Sequence, residues 1–315
     1  MNASQLAARF FTQAREHLEQ ARKLYIPQQH HTLVFLHGED LGVTSLGFMS
    51  WALWQLGYPD EALQRGREAL TLAEELAHPF SLAFALGMAV DLHRLRGEQR
   101  ETKAYAEAEM SLCREHRFAI HEAIGTLYQN WVFAEQEPDY KGLALILQGL
   151  TNVRETGIAW RYGDLLVAEA YGKTGQVEEG LAVLAGTLES VNNDGEHFYE
   201  AELYRLKGEL TLQHNREQGT GNGGQQKETD PRSLMPDAQG EAQACFLKAI
   251  AIAQKQQAKS WELRAATSLA RLWQAQGKTT EARDLLAPVY EWFTEGFDTK
   301  DLQEAQALLQ ELKGA

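Results

Sequence analysis

The sequence contains few residues whose types and spacing could support catalysis or metal binding. His30 and His31 are adjacent, and His37, Glu39 and Asp40 follow shortly after them. Imidazole and carboxylate groups are metal ligands, but helical zinc sites place two histidines four residues apart on one face, and that spacing is missing here. The pattern therefore favours a solvated connector over a metal site.

Two other patterns favour structural roles. Cys113 and Cys245 lack a second cysteine at short spacing and stand among Leu, Met, Phe and Ala, which is typical of small buried side chains. Gly219, Gly221 and Gly224 have the spacing of a dinucleotide-binding loop, but neither a strand before them nor a helix start accompanies it. We expect a protein that is not an enzyme and that uses no cofactor or metal.

A pattern of two helices joined by a short turn recurs along the chain. In the segment 51–70, Gly57 can adopt the left-handed conformation that ends a helix, while Pro59 and Asp60 suit the first turn of the next helix. Matching turns are predicted at Gly97, Glu137, Gly175, Gly208 and Gly277, and the first three steps measure 40, 40 and 38 residues. A regular step of this size predicts stacked helical hairpins.

Composition supports the same fold class. Hydrophobic residues make up 44% of the 315 residues, which is enough for a large core. The chain has only 7 prolines, and the strong helix formers Ala, Leu, Glu, Gln and Arg dominate nearly every segment. Runs of Val, Ile and Thr that would indicate strands are almost absent. The composition predicts helix throughout.

The units resemble the tetratricopeptide repeat, a family that places small residues where its two helices cross. Small side chains are needed there because helix axes approach each other near the short end of a range of ~8–10 Å. The matching residues are Ala62 with Ala69, Gly142 with Gly149, Gly180 with Thr187, and Ala242 with Ala249. The usual period of that family is about 34 residues, so the exact repeat subclass stays open. The resemblance implies an all-α, right-handed superhelical solenoid of stacked antiparallel helix pairs.

We expect two regions in the chain. Residues 1–42 would form a leading helix and a connector, and residues 43–315 an array of about six helix pairs that ends in a capping helix. An insertion at 214–237 is polar, rich in glycine and without apolar residues until Leu234. Such a segment cannot bury enough surface to offset its ordering entropy, so we expect a flexible loop.

The first helix of each pair lines the concave side of such an array. Counting back three, six and about ten residues from each turn gives the positions expected to face inward. The candidate groove residues are Trp51, Trp54, Asp91, Arg94, Trp131, Tyr162, Glu169, Glu202, Arg205, Arg264 and Arg271. A tryptophan at helical spacing suits a core position equally well, and charged pairs three residues apart also suit an exposed helix surface. As a groove, however, this mixture of Trp, Tyr, Arg and Glu suits an extended peptide or a partner helix.

A broader resemblance rests on longer phrases of the sequence. The segments 51–63, 76–86, 168–181 and 259–273 are similar to the C-terminal repeat region of bacterial STAND ATPase and class III adenylate–guanylate cyclase signalling proteins. In that family the array is a sensor and interaction module, and catalysis is performed by other domains. The resemblance implies a standalone paralogue or the sensor end of a longer ancestor.

Charge and hydropathy disfavour two classes of partner, although a local basic patch could still exist. The formal net charge of −14 disfavours nucleic acid and anionic membranes, because both attract basic surfaces. No signal peptide is visible, and no apolar stretch approaches the ~20 residues that cross a bilayer. We expect a cytoplasmic protein that binds neither nucleic acid nor membrane.

Two functions remain open from the sequence. The first is a scaffold in bacterial signal transduction that binds a protein or peptide partner in its groove. The alternative is a sensor in which a small-molecule effector changes the curvature of the superhelix. A closed apolar pocket near Trp131, Trp160 and Tyr162 would favour the sensor, and an open channel would favour the scaffold.

Overall fold

The computed structural model describes residues 10–136, 139–157, 161–194, 197–220 and 236–314. Throughout these ranges the regular elements are helical. After a first helix, α1 (Phe10–Leu24), short helical turns occupy residues 27–37. The remaining long helices are α2 (Leu41–Leu56), α3 (Pro59–Leu76), α4 (Pro79–Arg96), α5 (Gln99–His116), α6 (Ala119–Gln136), α7 (Tyr140–Glu155), α8 (Arg161–Lys173), α9 (Val177–Asp194), α10 (Glu200–Thr220), α11 (Pro236–Gln256), α12 (Lys259–Ala275), α13 (Thr279–Glu291) and α14 (Lys300–Gly314).

The helix boundaries follow from local sequence. Asp40 caps α2 by accepting hydrogen bonds from the backbone N–H groups of Gly42 and Val43. Gly57 ends α2 in the left-handed region at φ 91°, and Pro59 then opens α3 with its preset φ. Turns of two residues such as this one reverse the chain direction, so consecutive helices form antiparallel hairpins.

The chain forms two compact units. The first comprises Met1–Glu137, Ala144–Ala159 and Glu295–Lys300. Here α1 packs on α2, and each second helix (α3 or α5) packs on the first helix of its own pair and on the first helix of the next pair. The first helices α2, α4 and α6 also pack directly on one another in sequence. Part of the core lies between α2, α3 and α4, with Val43, Leu46, Ala69, Ala73 and Ala85 at its centre.

The second unit comprises Pro138–Leu143, Trp160–Thr294 and Asp301–Ala315. Its first helices α8, α10 and α12 pack on one another, and α9 and α11 lie between consecutive first helices. One apolar cluster joins residues of α11, α12, α13 and α14, among them Phe246, Leu269, Leu286 and Leu308. The prediction of an all-α fold built from consecutive helix pairs is confirmed for the described residues.

Small residues occupy the close helix crossings. The eight small residues that the repeat pattern singled out, from Ala62 to Ala249, are all buried. At Gly149 an added Cβ would lie 3.0 Å from Cα of Leu127, so a larger side chain would push α7 away from α6. Close approach of the backbones therefore explains the glycine at position 149.

Two local features differ from the pattern expected from sequence. Gly208 lies inside α10 and faces the ring of Phe246, so it is a packing glycine and not a turn glycine. Helix α10 also continues to Thr220, past residue 214 where the insertion was expected to begin. Within that extension, the side chain of Gln213 donates a hydrogen bond to Glu217 one turn later. The rest of the expected insertion before α11, residues 221–235, lies outside the described residues, as do residues 1–9 of the leading segment.

Candidate interaction surface

Each unit has one face built from its first helices. The first helices are α2, α4 and α6 in the first unit and α8, α10, α12 and α14 in the second unit. We call the side of these helices that carries the candidate groove residues the first-helix face. We describe the two faces separately.

In the first unit, Trp51 and Trp54 pack against other helices. Trp54 is fully buried in the core. Trp51 is half-buried, and its ring meets the ring of Phe11 in α1 edge to face, with centroids 5.5 Å apart. The structure therefore places Trp54 in the core and Trp51 under α1.

Asp91 and Arg94 of α4 contact two aromatic residues of α6. The Tyr128 hydroxyl donates a 2.8 Å hydrogen bond to Oδ1 of Asp91. The Arg94 guanidinium lies over the ring of Trp131, 5.2 Å from its centroid, which is a cation–π distance. Burial raises the pKa of Asp91, while the charge of Arg94 and the hydrogen bond from Tyr128 lower it in part. The four side chains form one cluster that joins neighbouring first helices.

An apolar patch completes this face. Gly47 lies where an added Cβ would be 2.8 Å from the ring of Phe84, so the glycine allows α2 and α4 to approach. That approach brings Phe84 against Phe48, with ring centroids 5.5 Å apart. Phe48 remains 45% exposed, and it gives the face an accessible aromatic side chain that the groove prediction did not include.

In the second unit, Arg205 of α10 is held by carboxylates. Its guanidinium donates to both carboxylate oxygens of the buried Glu202, at 2.7 and 2.8 Å, and also pairs with Glu209. Glu209 in turn accepts a 2.8 Å hydrogen bond from the hydroxyl of Ser268 in α12. Burial disfavours the charged form of Arg205 and so lowers its pKa. The surrounding carboxylates, Glu169 among them, have the larger effect, and the pKa of Arg205 is raised overall.

Arg264 of α12 bridges the helices on either side of it. It donates a 2.7 Å hydrogen bond to Asp301 of α14 and reaches Glu202 of α10 at 3.4 Å. Its guanidinium also lies over the ring of Trp261, 5.0 Å from the centroid. Burial raises the pKa of Asp301, and the charge of Arg264 opposes that shift. Arg264 therefore joins three first helices.

The remaining candidates differ in exposure. Arg271 is largely exposed and donates a 2.8 Å hydrogen bond to Glu304 of α14. Tyr162 is fully buried and stacks on Tyr199, with ring centroids 4.5 Å apart. Glu169 is half-buried on α8. Tyr162 is therefore a core residue, whereas Arg271 and Glu169 remain on the accessible face.

Tyr128 and Asp301, two of the residues that sequence reasoning missed, share one signal. The Asp91–Tyr128, Arg264–Asp301 and Gln274–Glu311 hydrogen bonds each join residues 37 positions apart. In each of these three pairs, the two side chains belong to successive first helices. A search for complementary residue types at that separation would have found Tyr128 and Asp301.

Three of the residues considered for chemistry, His30, Asp40 and Cys113, have structural surroundings, whereas Gly221 and Gly224 lie outside the described residues. His30 Nδ1 accepts a 2.9 Å hydrogen bond from the backbone of Ile26, and Asp40 caps α2. Within the described ranges, no three His, Cys, Asp or Glu side chains come together as a metal site requires. Cys113 is buried, and burial together with nearby glutamates raises the pKa of its thiol to about 12. The thiol form is therefore favoured over the reactive thiolate. Among the described helices, none is long and apolar enough to span a bilayer.

Comparison with known proteins gives structural similarity alone. No family model and no curated protein matches this chain. Two crystal structures of nearly identical TPR-like repeats, ascribed to a kinesin light chain of Podosopora anserina, are similar to it at 15% sequence identity with a TM-score of 0.28. Each alignment covers 87% of this chain and 97% of the other, and one of the two structures carries a glutamine-to-methionine substitution. In the part of the chain that the structure describes, the regular elements are helices arranged in consecutive pairs.

Proposed function

We propose that this chain is a non-catalytic protein-interaction module that binds a peptide segment or helix of a partner on its first-helix face. The observation that carries the proposal is the contact between same-side residues of successive first helices, such as Asp91 with Tyr128 and Arg264 with Asp301. Because these contacts link one helix to the next, each unit presents a continuous surface drawn from several pairs. Extended surfaces of this kind are what stacked helical repeats use for binding.

The chemistry of the face favours a partner with basic and apolar side chains. On the second unit's face, the guanidinium groups of Arg205, Arg264 and Arg271 lie among a larger number of carboxylates, which include Glu169, Glu202, Glu209, Asp301 and Glu304. The excess negative charge would attract Lys or Arg side chains. In the first unit, Phe48 and Phe84 offer an aromatic surface to an apolar side chain.

We further propose that the module acts in bacterial signal transduction in the cytoplasm. The support is the similarity of segments 51–63, 76–86, 168–181 and 259–273 to the repeat regions of bacterial signalling proteins. In the sensor alternative, a small molecule would take the place of the partner. The pocket that would favour the sensor includes Trp160, which lies outside the described residues.

The test uses paired substitutions of equal chemistry and similar exposure. Glu304 on α14 is 39% exposed and Glu107 on the second helix α5 is 51% exposed, and each carboxylate pairs with a basic side chain. Phe48 on α2 and Leu247 on the second helix α11 are 45% and 44% exposed. A partner would be captured by cross-linking from a bacterial lysate, identified by mass spectrometry and titrated by calorimetry.

We expect Glu304→Lys or Phe48→Ser to weaken partner affinity by about tenfold, because each removes a contact worth about 1–2 kcal/mol. Glu107→Lys and Leu247→Ser should leave that affinity within about twofold. Equal effects of all four substitutions, or an effect confined to the second-helix variants, would refute the proposed face. If no protein is captured and a small molecule copurifies instead, the sensor alternative replaces the scaffold.

A further inference from the structure

A short segment near the C-terminus belongs to the first unit. We call this segment, Glu295–Lys300, the clasp. Oε1 of Glu295 accepts hydrogen bonds from the backbone N–H groups of Asp60 and Glu61, at 3.0 and 3.1 Å. The backbone N–H of Gly296 in turn donates to Oδ2 of Asp60 at 3.0 Å. First-turn amides have no partner within their own helix, and the N-cap residue of α3 supplies no side-chain cap. The clasp therefore caps α3 from more than 230 residues away in sequence.

Arg96 holds the other end of the clasp. Its side chain is 1% exposed, and its NH2 group lies 3.3 Å from both carboxylate oxygens of Asp298. The same guanidinium donates to the carbonyl of Pro59 at 2.8 Å and to Glu98 at 2.7 Å, which fixes its orientation. A buried arginine held in this way is prepared to bind a carboxylate.

The fit between clasp and turns is close. Gly296 has φ 73°, and an added Cβ would lie 2.0 Å from Cγ of Pro59. At Gly97, an added Cβ would lie 2.6 Å from Cβ of Lys300. Thr299 closes the clasp into a turn, since its hydroxyl donates a 2.7 Å hydrogen bond to the carbonyl of Gly296. The shape of the site therefore selects a turn with glycine after the first acid.

The outer side of the clasp is open to solvent. The Asp298 side chain is 72% exposed, and the Phe297 side chain is also exposed. A few hydrogen bonds with an exposed edge can open without disruption of a core. The contact between Asp298 and Arg96 therefore lies at the solvent-facing edge of the clasp.

We propose that Arg96 and the first turn of α3 form a recognition site for a short acidic turn of sequence Glu-Gly-x-Asp. The clasp fills this site as an internal ligand, and a partner protein that carries such a turn takes its place. Carboxylate capture by a helix N-terminus and an oriented arginine supplies the affinity. Because the clasp is tethered, it competes at a high effective concentration and keeps the site closed to weak ligands. The site uses turn residues, so it is distinct from the first-helix face.

The test uses a fluorescein-labelled peptide with the sequence of Phe293–Lys300 and the full-length chain. Glu295→Gln/Asp298→Asn removes both carboxylates of the clasp without a change of volume. We expect this variant to bind the peptide at least about tenfold more tightly than the wild type, measured by fluorescence anisotropy. A peptide with Gln and Asn in place of its two acids should lose that binding. Hydrogen exchange at the amides of Asp60 and Glu61 should become faster in the variant and slow again when the peptide is added.

Matched controls separate this site from general charge effects. Glu281→Gln/Asp284→Asn makes the same change on the exposed surface of α13, so its affinity for the peptide should equal that of the wild type. Gly296→Val provides a second way to displace the clasp, through the clash with Pro59. Equal binding of the peptide to wild type and to both folded clasp variants, or no binding to either variant, would overturn the proposal. Exchange of clasps between two copies of the chain, detected as a dimer that does not take up the peptide, would overturn it as well.

Discussion

At the scale of single residues, Glu109 is a carboxyl group with no exposed surface. It reaches from α5 into the space left by two glycines of the neighbouring first helices. An added Cβ at Gly87 would lie 2.8 Å from Oε1, and one at Gly125 would lie 3.3 Å from Oε2. Nδ1 of His121 is 3.1 Å from Oε1, and Oε2 has no hydrogen-bond partner among the described residues. Burial raises the pKa of Glu109, and the hydrogen bond and charge of His121 lower it only in part.

We therefore expect Glu109→Gln to change how stability depends on pH. A carboxyl whose pKa is raised by folding stabilises the protein below its unfolded pKa of about 4.5, and this contribution is lost as pH rises through the folded value. The glutamine amide does not titrate. Between pH 4.5 and pH 8, the unfolding free energy of the variant should therefore rise by about 1–3 kcal/mol relative to that of the wild type. Urea denaturation at several pH values measures the difference in unfolding free energy.

The control for this prediction lies on the same helix. Glu107 is half-exposed and pairs with Lys103, so Glu107→Gln should change stability by less than about 0.5 kcal/mol at any pH in this range. If the stability of Glu109→Gln relative to the wild type falls as pH rises, Glu109 is stabilised in its charged form, and the interpretation of its burial is wrong.

Sequence spacing indicated where the groove candidates lie along their helices but not what they touch. Trp51 and Trp54, three residues apart, were open to either a core or a groove role, and Trp54 is in the core. The partners of Arg264 could not be predicted from its own helix, because Asp301 and Glu202 belong to other first helices. Contacts within a helix follow from the helical period. Contacts between helices depend on how the pairs stack, and a single sequence does not specify that stacking.

At the scale of elements, helix packing in the second unit depends on glycine. Gly208 of α10 faces α11, where an added Cβ would lie 2.6 Å from the ring of the buried Phe246. Gly186 of α9 also lies inside a helix, but an added Cβ there would meet nothing within 4 Å. The two glycines therefore allow the same substitution to be compared with and without a steric clash.

We expect opposite effects from Gly208→Ala and Gly186→Ala. Alanine has the higher helix propensity by about 0.5–1 kcal/mol, so Gly186→Ala should stabilise the protein by roughly that amount. At position 208 the clash with Phe246 should exceed this gain, and we expect a net loss of about 1–2 kcal/mol. Thermal and urea denaturation would measure both. Stabilisation of the protein by both substitutions would show that α10 and α11 accommodate the added methyl group without a net cost.

The turns were the elements most readily predicted from sequence. Gly57, Gly97, Gly175 and Gly277 all have positive φ, as expected for residues that end a helix in the left-handed region. The end of α10 was harder to predict from sequence, because residues 214–220 are polar yet contain good helix formers. Contacts such as the one between His214 and Glu178 of α9, at 3.9 Å, lie along this extension. Composition favoured a loop there, and packing on a neighbouring helix cannot be inferred from composition.

At the scale of the whole molecule, the chain forms two compact units, each built from consecutive helix pairs. Stability in stacked repeats is approximately a sum of terms within repeats and between neighbours, so a local defect has local effects. Each unit should therefore respond mainly to defects in its own core.

This expectation can be tested with two equal cavities. Leu127 of α6 and Leu269 of α12 are both fully buried, one in each unit. Replacement of either by alanine should destabilise its surroundings by about 2–5 kcal/mol. In Leu269→Ala we expect hydrogen exchange, measured by mass spectrometry, to become faster in α10–α13 and to change little in α4–α6, and Leu127→Ala should show the reverse. Equal acceleration in both units by either variant would mean that the chain opens as one cooperative structure, because a purely local defect cannot loosen helices beyond its own neighbours.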